Sequence, residues 1–442
     1  MSETSHGATV DNTEVGSYFV ANYPPFSVWT TDAVDEAARP ALAAPPADVA
    51  LGLYLHIPFC RKRCHFCYFR VYTNKNAAEV QSYLDVLASE WELYAEQPAI
   101  AGRPLAFVYF GGGTPSFLSV RQLEGLVKRL ERVTPWSTAE EITFECEPGT
   151  LTKPKLAAIR ALGVTRLSLG IEHFDDHILE LNGRAHRSAE IFRAYDYARS
   201  LEFPQINVDL IAGMLGETDE KWQAAVTQAL KLEPDSVTIY QMELPYNTTI
   251  SSDLLKGTGQ FTTVAPWSAK RRWVAEAFEI LERAGYTVGS AYTAVKDPAR
   301  TTFVYRDQLW QGADLAGLGV ASFGHLNGVH VQNLDSSGSY TAAIESGRLP
   351  LNRAYRPTEE ERFIRELVLQ LKLGSIRPTC FQDKYGVDVR ARFADAWTSL
   401  QADGYLRTGS TDVIGLTRDG LLRVDSLLPR FFLSEHKGIR YT

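Results

Sequence analysis

The feature that most constrains the fold is an alternation of short apolar runs with longer amphipathic stretches between residues 51 and 242. Strand-like runs separated by helix-like stretches predict a parallel sheet wrapped by helices. The resulting β/α units predict an α/β fold with a complete or partial barrel, and periodicity leaves an open doubly wound sheet as the alternative. The predicted strands are 51–57, 105–110, 141–146, 166–171, 206–213 and 236–242.

Residue types that carry chemistry recur near the carboxyl ends of these strands. A cysteine triplet follows the first strand, and the run "FGGGTP" follows the second. This glycine run lets a backbone approach a ligand closely, although a tight turn would use the same residues. Glu145 ends the third strand, Glu172 follows the fourth and Asp209 lies in the fifth, while Met242 ends the sixth. Because ligands collect at the carboxyl ends of strands in α/β folds, these positions predict one shared site.

Cys60, Cys64 and Cys67 lie within the short stretch "HIPFCRKRCHFCYF". Three thiolates can hold three irons of a [4Fe–4S] cluster and leave the fourth iron open, whereas structural clusters normally have four cysteines. The alternative is a zinc site that His56 or His65 completes.

Composition narrows the class of partner. The chain has 442 residues, of which 45% are hydrophobic, a net charge of −8 and a pI near 5.7. This acidic balance argues against nucleic-acid binding, which needs a concentrated basic surface. The sequence shows neither a secretory signal pattern nor a run of about eighteen apolar residues, which predicts a cytoplasmic protein without a membrane partner. Cys146 and Cys380 are expected to be buried small hydrophobic residues rather than ligands.

Several motifs together resemble the radical S-adenosylmethionine (SAM) superfamily. They are "YLHIPFCRKRCHFCYF", "YFGGGTPS", "ECEPGT", "RLSLGIEHF", "LNGRAHR" and "VDLIAG". Within that superfamily they resemble the oxygen-independent coproporphyrinogen III oxidase group, which also includes haem chaperones and C-methyltransferases. The similarity runs from about Tyr18 to the carboxyl terminus.

The resemblance implies a partial (β/α)6 radical SAM barrel with an N-terminal arm and a small, mostly helical C-terminal domain. The implied boundaries are 1–49 for the arm, 50–300 for the barrel, 301–355 for a barrel extension with a second SAM site, and 356–442 for the C-terminal domain. A winged-helix DNA reader is the alternative for the last segment, but that segment lacks a basic recognition face.

The resemblance also implies that Cys60, Cys64 and Cys67 hold a [4Fe–4S] cluster whose open iron takes the amino and carboxylate groups of one SAM. The positions that match the family around this SAM are Tyr54, Phe66, Gly112, Gly113, Thr114, Glu145, Arg184 and Asp209.

Glu172 departs from the family pattern, which has glutamine at this position. A carboxylate only accepts hydrogen bonds, so its partner must be a cation or a hydroxyl group. A plain salt bridge to Arg184 or Arg187 is the alternative.

The segment "LWQGADLAGLGVASFGH" resembles the part of the oxidases that helps to bind a second SAM. Trp310, Gln311 and Phe323 fall on matching positions, and Met242 closes the barrel side. An aromatic, glycine-rich core turn is the alternative. Catalytic roles are predicted for Glu172, Met242 and Gln311.

Three features favour a member of this group that acts outside haem synthesis. The oxidases have a further cysteine after the triplet, where this chain reads Cys67–Tyr68–Phe69. The arm "GSYFVANYPPFSVW", which haem chaperones lack, is expected to pack over the barrel mouth or to plug the core, and "YQMELPYNT" differs from the oxidase sequence.

We therefore predict a radical SAM C-methyltransferase or cyclopropanase of specialised, antibiotic-type metabolism, which uses two SAM molecules to add a methyl-derived carbon to an sp² carbon. The alternatives are an oxygen-independent coproporphyrinogen III oxidase, acting by oxidative decarboxylation, and a haem chaperone. The expected partners are a small-molecule substrate and an electron donor such as flavodoxin or ferredoxin.

Overall fold

The structure is a computed structural model that describes residues 11–17, 19–32, 34–45, 49–259, 261, 264–409 and 411–439. The predicted arm therefore lies partly outside the described residues, at 1–10, 18, 33 and 46–48. Residues 410 and 440–442 of the predicted C-terminal domain, and Tyr18 where the resemblance begins, also lie outside them.

The first two thirds of the chain alternate between strands and helices. The strands are β1 (Leu51–Ile57), β2 (Phe107–Gly112), β3 (Glu141–Cys146), β4 (Arg166–Glu172), β5 (Gln205–Ala212), β6 (Ser236–Gln241), β7 (Thr287–Val288) and β8 (Thr293–Val295). The helices are α1 (Val34–Leu42), α2 (Ala77–Ala95), α3 (Val120–Val133), α4 (Lys153–Ala161), α5 (Asp176–Leu181), α6 (Ser188–Ser200), α7 (Asp219–Leu232), α8 (Thr249–Lys256) and α9 (Trp267–Arg283). Strand β2 is shifted from its predicted range of 105–110, because Gly111 and Gly112 continue the ladder opposite His56 and Ile57.

Strands β1 to β6 are parallel neighbours in chain order, which confirms the predicted parallel sheet. Their side chains alternate between two faces, as strand geometry requires. Leu53 and Leu55 pack with helix residues in the main apolar core, while the intervening Tyr54 turns to the opposite face, beside Tyr109 of β2. Since one face of the sheet is covered by helices and the other surrounds a cavity, the structure is the partial barrel rather than the doubly wound alternative.

A polar plug fills the amino ends of these strands. Arg166 is 2% exposed, and its guanidinium carbon lies 4.0 Å from the centre of the Phe303 ring. Glu141 accepts hydrogen bonds from the backbone amides of Val304 and Tyr305, at 3.0 and 3.3 Å. Because this end is filled, the open space of the barrel lies at the carboxyl ends of the strands.

The sheet continues beyond β1 in a second, largely antiparallel half. Its elements are α10 (Val304–Trp310), β9 (Asp314–Leu318), β10 (Phe323–Leu326), β11 (Val329–Asn333), α11 (Ser337–Glu345) and β12 (Leu351–Tyr355). Strand β9 pairs in parallel with β1, and β9 to β12 then pair antiparallel. In the described residues this gives a twelve-stranded sheet with β12 at one edge and β7 at the other.

The C-terminal region is mostly helical, as predicted. Its elements are α12 (Glu359–Leu371), β13 (Ser375–Ile376), α13 (Pro378–Tyr385), α14 (Val389–Arg392), α15 (Ala394–Ala402), β14 (Ile414–Gly415), α16 (Arg418–Leu422) and α17 (Val424–Leu427). It has its own apolar core, which includes Phe363 and Phe431 and into which Val20 and Tyr23 of the arm are packed. In the described part of the chain, every helix is too short or too polar to cross a membrane.

The two isolated cysteines have different environments. Cys146 is the last residue of β3 and is buried, which confirms the predicted burial of that residue. Cys380 is exposed, and the prediction that it is buried is wrong, because its neighbour Phe381 supplies the buried face of the short helix α13.

Candidate active site

A cavity of about 330 Å³ lies at the carboxyl ends of the parallel strands. The predicted metal and cofactor residues in its lining are Cys60, Cys64, Phe66, Cys67, Gly112, Gly113, Thr114, Glu145, Arg184 and Asp209. Glu172 and Met242, two of the predicted catalytic residues, also line it. The positions that the sequence places after separate strands therefore meet in one space.

The cysteine triplet occupies the loop after β1, where polar groups contact its sulfur atoms. The hydroxyl of Thr114 donates to Cys60 Sγ at 3.4 Å, and Arg184 Nη1 donates to Cys64 Sγ at 3.3 Å. Hydrogen bonds and nearby positive charge favour the thiolate form, which is the form that binds metal.

Burial acts against the thiolates. It raises the pKa of Cys60 to about 11 and the pKa of Cys67 to about 12, so these groups would be protonated thiols at neutral pH without a ligand. A bound metal removes this cost, because a coordinating thiol is deprotonated outright. The sulfur-rich donor set therefore fits an iron–sulfur cluster.

The histidines of the zinc alternative are directed elsewhere. His56 Nδ1 lies 3.2 Å from the Tyr54 hydroxyl and His56 Nε2 lies 3.4 Å from the Arg70 carbonyl, while His65 Nδ1 donates to the Leu181 carbonyl at 3.0 Å. Among the described residues, no group of three or more His, Cys, Asp or Glu side chains converges on a position for a single metal ion. The geometry favours the cluster hypothesis over a zinc site that histidine completes.

The glycine run after β2 packs against β1. Gly112 has φ +106°, and a Cβ at this position would lie 2.4 Å from His56 Nδ1. A Cβ on Gly113 would lie 2.8 Å from the Ile57 carbonyl oxygen. Close packing in a tight turn is therefore enough to explain the need for glycine here. Close approach of a ligand to this backbone stays a prediction.

Two carboxylates, Glu145 and Asp209, face the cavity from β3 and β5. The Tyr109 hydroxyl donates to Glu145 at 2.6 Å, and Asp209 accepts from Ser168 at 3.0 Å and from Asn207 at 2.8 Å. Burial raises the pKa of Glu145 to about 7 and also raises the pKa of Asp209. Their oxygens are held in place as acceptors for hydroxyl or amino groups of a ligand.

Glu172 has an unusual backbone and one long ion pair. Its φ is +66°, at an irregular point in the pairing of β4 with β5, and such strain in a non-glycine residue is most common at functional sites. Glu172 Oε1 lies 3.8 Å from Arg184 Nη1, whereas Arg187 pairs with Glu180 at 3.3 Å. Arg184 is therefore the partner in the salt-bridge alternative, but at a long distance. Burial raises the pKa of Glu172 to about 7.

A charged network beside the cysteines was missed by sequence reasoning. Arg61 donates two hydrogen bonds to Glu147, at 3.0 and 2.8 Å, and His186 Nδ1 lies 3.2 Å from the same carboxylate. Burial alone would raise the pKa of Glu147, but the hydrogen bonds from His186 and Arg61 hold it at about 2. The position of Glu147 within "ECEPGT" and of Arg61 directly after Cys60 was the available signal.

Of two further cofactor candidates, Phe66 lines the cavity and Tyr54 does not. The Tyr54 ring stacks on Tyr109 with 5.9 Å between ring centres. Phe66 packs against an apolar cluster that contains Met242 and Ile211. This cluster gives the cavity an apolar section.

The predicted second-site residues lie apart from this lining. Gln311 follows α10, and its carbonyl accepts a hydrogen bond from Lys384 at 2.9 Å. Phe323 begins β10, and its ring centre lies 5.9 Å from that of Phe26 and 5.6 Å from that of Trp29. Binding of a second SAM at these residues stays a prediction.

Comparison with known proteins gives a consistent family. Residues 54–229 match the Radical SAM superfamily. The chain is 28% identical to the heme chaperone HemW of Bacillus subtilis (strain 168) over 374 residues, which cover 84% of this chain and 96% of the relative. It is also 28% identical to the oxygen-independent coproporphyrinogen III oxidase of Pseudomonas aeruginosa over 404 residues, 86% of this chain and 85% of the relative.

A solved structure shows the same fold. Coproporphyrinogen III oxidase (HemN) from Escherichia coli matches with a TM-score of 0.80 and 24% identity, covering 95% of this chain and 99% of the other.

These comparisons support the radical SAM superfamily and the coproporphyrinogen oxidase group, and they overturn the predicted methyltransferase or cyclopropanase of antibiotic-type metabolism. The relatives are oxidases and a chaperone, which were the two alternatives. Tyr68 and Phe69, on which the branch choice partly rested, form part of the cavity wall. Wall residues influence which molecule fits, but they do not identify the reaction.

Proposed function

We propose that this chain, whose residues 54–229 match the radical SAM superfamily, is a radical SAM enzyme of the oxygen-independent coproporphyrinogen III oxidase type. The observation that carries the proposal is that one cavity at the carboxyl ends of the strands is lined by the thiols of the cysteine triplet, by Arg184 and by carboxylates that include Glu145, Glu172 and Asp209. This set combines sulfur donors for iron with a positive and several negative groups for a zwitterionic cofactor.

The proposed roles follow from the contacts of each side chain. Cys60, Cys64 and Cys67 would hold a [4Fe–4S] cluster. Arg184, which already contacts Cys64 at 3.3 Å, supplies positive charge for the carboxylate of SAM. Glu145, pre-oriented by Tyr109, together with Asp209 and Glu172, accepts hydrogen bonds from the hydroxyl and amino groups of SAM.

When bound, the cluster supplies an electron that splits SAM into methionine and a 5′-deoxyadenosyl radical, which removes a hydrogen atom from a substrate carbon. The protein's part is to orient the partners and to exclude water. Phe66 and Met242 contribute apolar surface to the cavity for this purpose.

A second SAM beside Gln311 and Phe323 is a separate part of the proposal, and sequence resemblance alone supports it. Phe323 meets Phe26 and Trp29 edge-on and remains partly exposed. The proposal also includes a small electron donor, such as flavodoxin or ferredoxin.

Haem transfer is the second candidate function. It is favoured by the match to the Bacillus subtilis heme chaperone, which extends over 96% of that relative. A chaperone of this kind would bind haem without consuming SAM.

One experiment separates these functions. Anaerobically reconstituted protein is mixed with coproporphyrinogen III, SAM and a reductant, and the products are followed by mass spectrometry. The oxidase proposal expects 5′-deoxyadenosine and methionine together with a substrate that has lost carbon dioxide. A shifted haem Soret band without 5′-deoxyadenosine would support the chaperone. Cleavage of SAM with unchanged porphyrinogen would reject the substrate class and retain the radical SAM reaction.

A further inference from the structure

The arm residue Phe19 lines the cavity, and none of the proposed roles uses it. Its ring meets the Tyr68 ring edge-on, with 6.3 Å between ring centres. Tyr68 in turn stacks on Phe69 at 4.5 Å. The three rings form an aromatic wall beside the cysteine loop, and such a surface suits a flat, ring-shaped ligand.

Val20, the next residue of the arm, is held by two charged side chains of the C-terminal region. Lys372 Nζ donates to the Val20 carbonyl at 2.5 Å, and the Val20 amide donates to Asp425 at 2.7 Å. Lys372 and Asp425 form an ion pair at 2.9 Å, and the Tyr292 hydroxyl donates to the second oxygen of Asp425. We refer to Lys372 and Asp425 as the Val20 clamp.

The clamp is shielded from solvent. The side chain of Lys372 is 1% exposed and that of Asp425 is 20% exposed. Salt screens such a pair much less than an exposed pair, and removal of one partner leaves a buried charge without compensation. The clamp is therefore a strong local constraint on the arm.

A second anchor holds the arm on the other side of Phe19. The Gly16 amide donates to the Leu244 carbonyl at 2.7 Å, and the Leu244 amide donates to the Ser17 hydroxyl at 3.0 Å. Leu244 lies in the loop after β6, next to cavity-lining residues. Phe19 is thus fixed between the barrel and the C-terminal region.

The size of the cavity shows why this wall matters. Its volume of about 330 Å³ is at the low end of the roughly 300–1,000 Å³ that is usual for one small ligand. A reaction that brings SAM and a substrate together needs more room. The strands are fixed by continuous ladders, whereas the arm is anchored at Val20 and at Gly16 and Ser17, so the Phe19 side chain between these anchors is the part of the wall that can turn.

We propose that Phe19 is a specificity-determining residue whose ring packs against a flat pyrrole ring of the substrate, and that the Val20 clamp positions it. The inference rests on the proposed tetrapyrrole substrate, because each of its pyrrole rings is flat and can pack on an aromatic wall. Asp425 acts through Val20, and Lys372 acts both through Val20 and through its ammonium group, which lies 5.5 Å from the centre of the Phe19 ring; both are positioning residues.

The first test compares Phe19→Ala with the matched control Phe26→Ala. Phe26 is another arm aromatic residue, but it packs against Phe323 and Arg353 rather than lining the cavity. Binding of coproporphyrin III, a fluorescent oxidised analogue, is measured on cluster-loaded protein together with the ratio of 5′-deoxyadenosine to decarboxylated product. We expect Phe19→Ala to weaken binding about tenfold and to raise the ratio several-fold, and Phe19→Leu to recover part of both. Phe26→Ala should change both by less than about twofold.

The second test removes the clamp without leaving a lone buried charge. The double variant Lys372→Met with Asp425→Leu, which removes both the ammonium donor and the carboxylate acceptors, should behave as Phe19→Ala does, and hydrogen exchange at the Val20 amide should become faster. A purely structural clamp would lower thermal stability and leave the product ratio unchanged, which would overturn the positioning role.

The outcomes separate this inference from the proposed function. The role of Phe19 is rejected, and the proposed function is kept, if Phe19→Ala binds coproporphyrin III as well as wild type does. The same conclusion follows if Phe26→Ala weakens this binding as much as Phe19→Ala does. Wild-type protein that cleaves SAM but fails to bind coproporphyrin III rejects the tetrapyrrole class for both.

Discussion

Both halves of the sheet bury polar side chains, but they use them differently. In the parallel half, Glu145 and Glu172 line the cavity. Beneath the antiparallel half, Glu90 of α2 accepts hydrogen bonds from the Tyr340 hydroxyl and from the Asn333 amide, each at 2.6 Å. Those donors hold α11 and β11 against α2, so this carboxylate serves the fold.

The comparison shows what distinguishes Glu172 from a structural carboxylate. Burial raises the pKa of both Glu90 and Glu172 to about 7, so the shifted pKa does not distinguish them. The difference is that the oxygens of Glu90 are occupied by protein donors, while Glu172 faces a cavity and has an ion pair at 3.8 Å. A buried acceptor that faces open space is available for a ligand.

The largest expected effect tests the cysteine loop. Cys64→Ala removes one of the three proposed iron ligands, so bound iron and 5′-deoxyadenosine formation should fall to background. Cys380→Ala, an exposed position far along the chain on α13, should keep both within about twofold, because surface substitutions rarely disturb a distant site. Iron analysis and chromatography of the nucleoside measure the outcome. Equal losses in the two variants would contradict the assignment.

A glycine pair provides the next contrast between the two halves. Gly112→Ala places a Cβ against His56 at φ +106°, so we expect a loss of about 2–4 kcal/mol in the free energy of unfolding and at least tenfold weaker SAM binding. Gly347→Ala in the second half meets no atom within 4 Å at φ +75° and should cost about 1 kcal/mol with unchanged SAM binding. Urea denaturation and calorimetric titration measure the two quantities. The contrast fails if SAM binds both variants equally.

The two carboxylates should contribute alike to the pH dependence of stability and differ in the cost of replacing them. The pKa of folded Glu172, about 7, lies above its usual value of 4.5, so its contribution to stability is present below pH 4.5 and is lost as the pH rises to about 7. Glu172→Gln should remove about 2–3 kcal/mol of the decline in the free energy of unfolding between pH 5 and pH 8 in metal-free protein. Glu90→Gln should remove a similar part of this decline and, unlike Glu172→Gln, should also lower stability by about 1–3 kcal/mol at pH 5, because its amide cannot accept every donor that faces it. If the free energy of unfolding of wild type and of Glu172→Gln changes with pH in the same way, the raised pKa of Glu172 is refuted.

The smallest effect is expected at the predicted second site. The side chain of Gln311 lies outside the cavity lining, so Gln311→Ala should leave the rate of 5′-deoxyadenosine formation within about twofold of wild type. Formation of the final product should fall further if a second SAM binds there. A large loss of SAM cleavage in Gln311→Ala would show that Gln311 belongs to the first cofactor site.

The sequence was sufficient to predict the elements that depend on local pattern. The apolar alternation predicted β1 to β6, and the position of each motif after its strand predicted that Cys60, Glu145 and Asp209 would meet. The wall formed by Phe19 was not predictable in this way, because it depends on contacts such as Val20 to Asp425, which are 405 residues apart in the chain. The reaction branch was assigned wrongly for a related reason: it depends on where a substrate carbon sits in the cavity, which no local motif encodes.

The central claim is that the carboxyl ends of the parallel strands hold a three-cysteine cluster with a place for SAM. Electron paramagnetic resonance of anaerobically reconstituted, reduced protein tests this directly, with iron and sulfide analysis on the same sample. The account predicts about four irons and four sulfides per chain, a cluster signal that changes when SAM is added, and 5′-deoxyadenosine after turnover. Stoichiometric zinc without iron, or a cluster signal that SAM leaves unchanged, would contradict it.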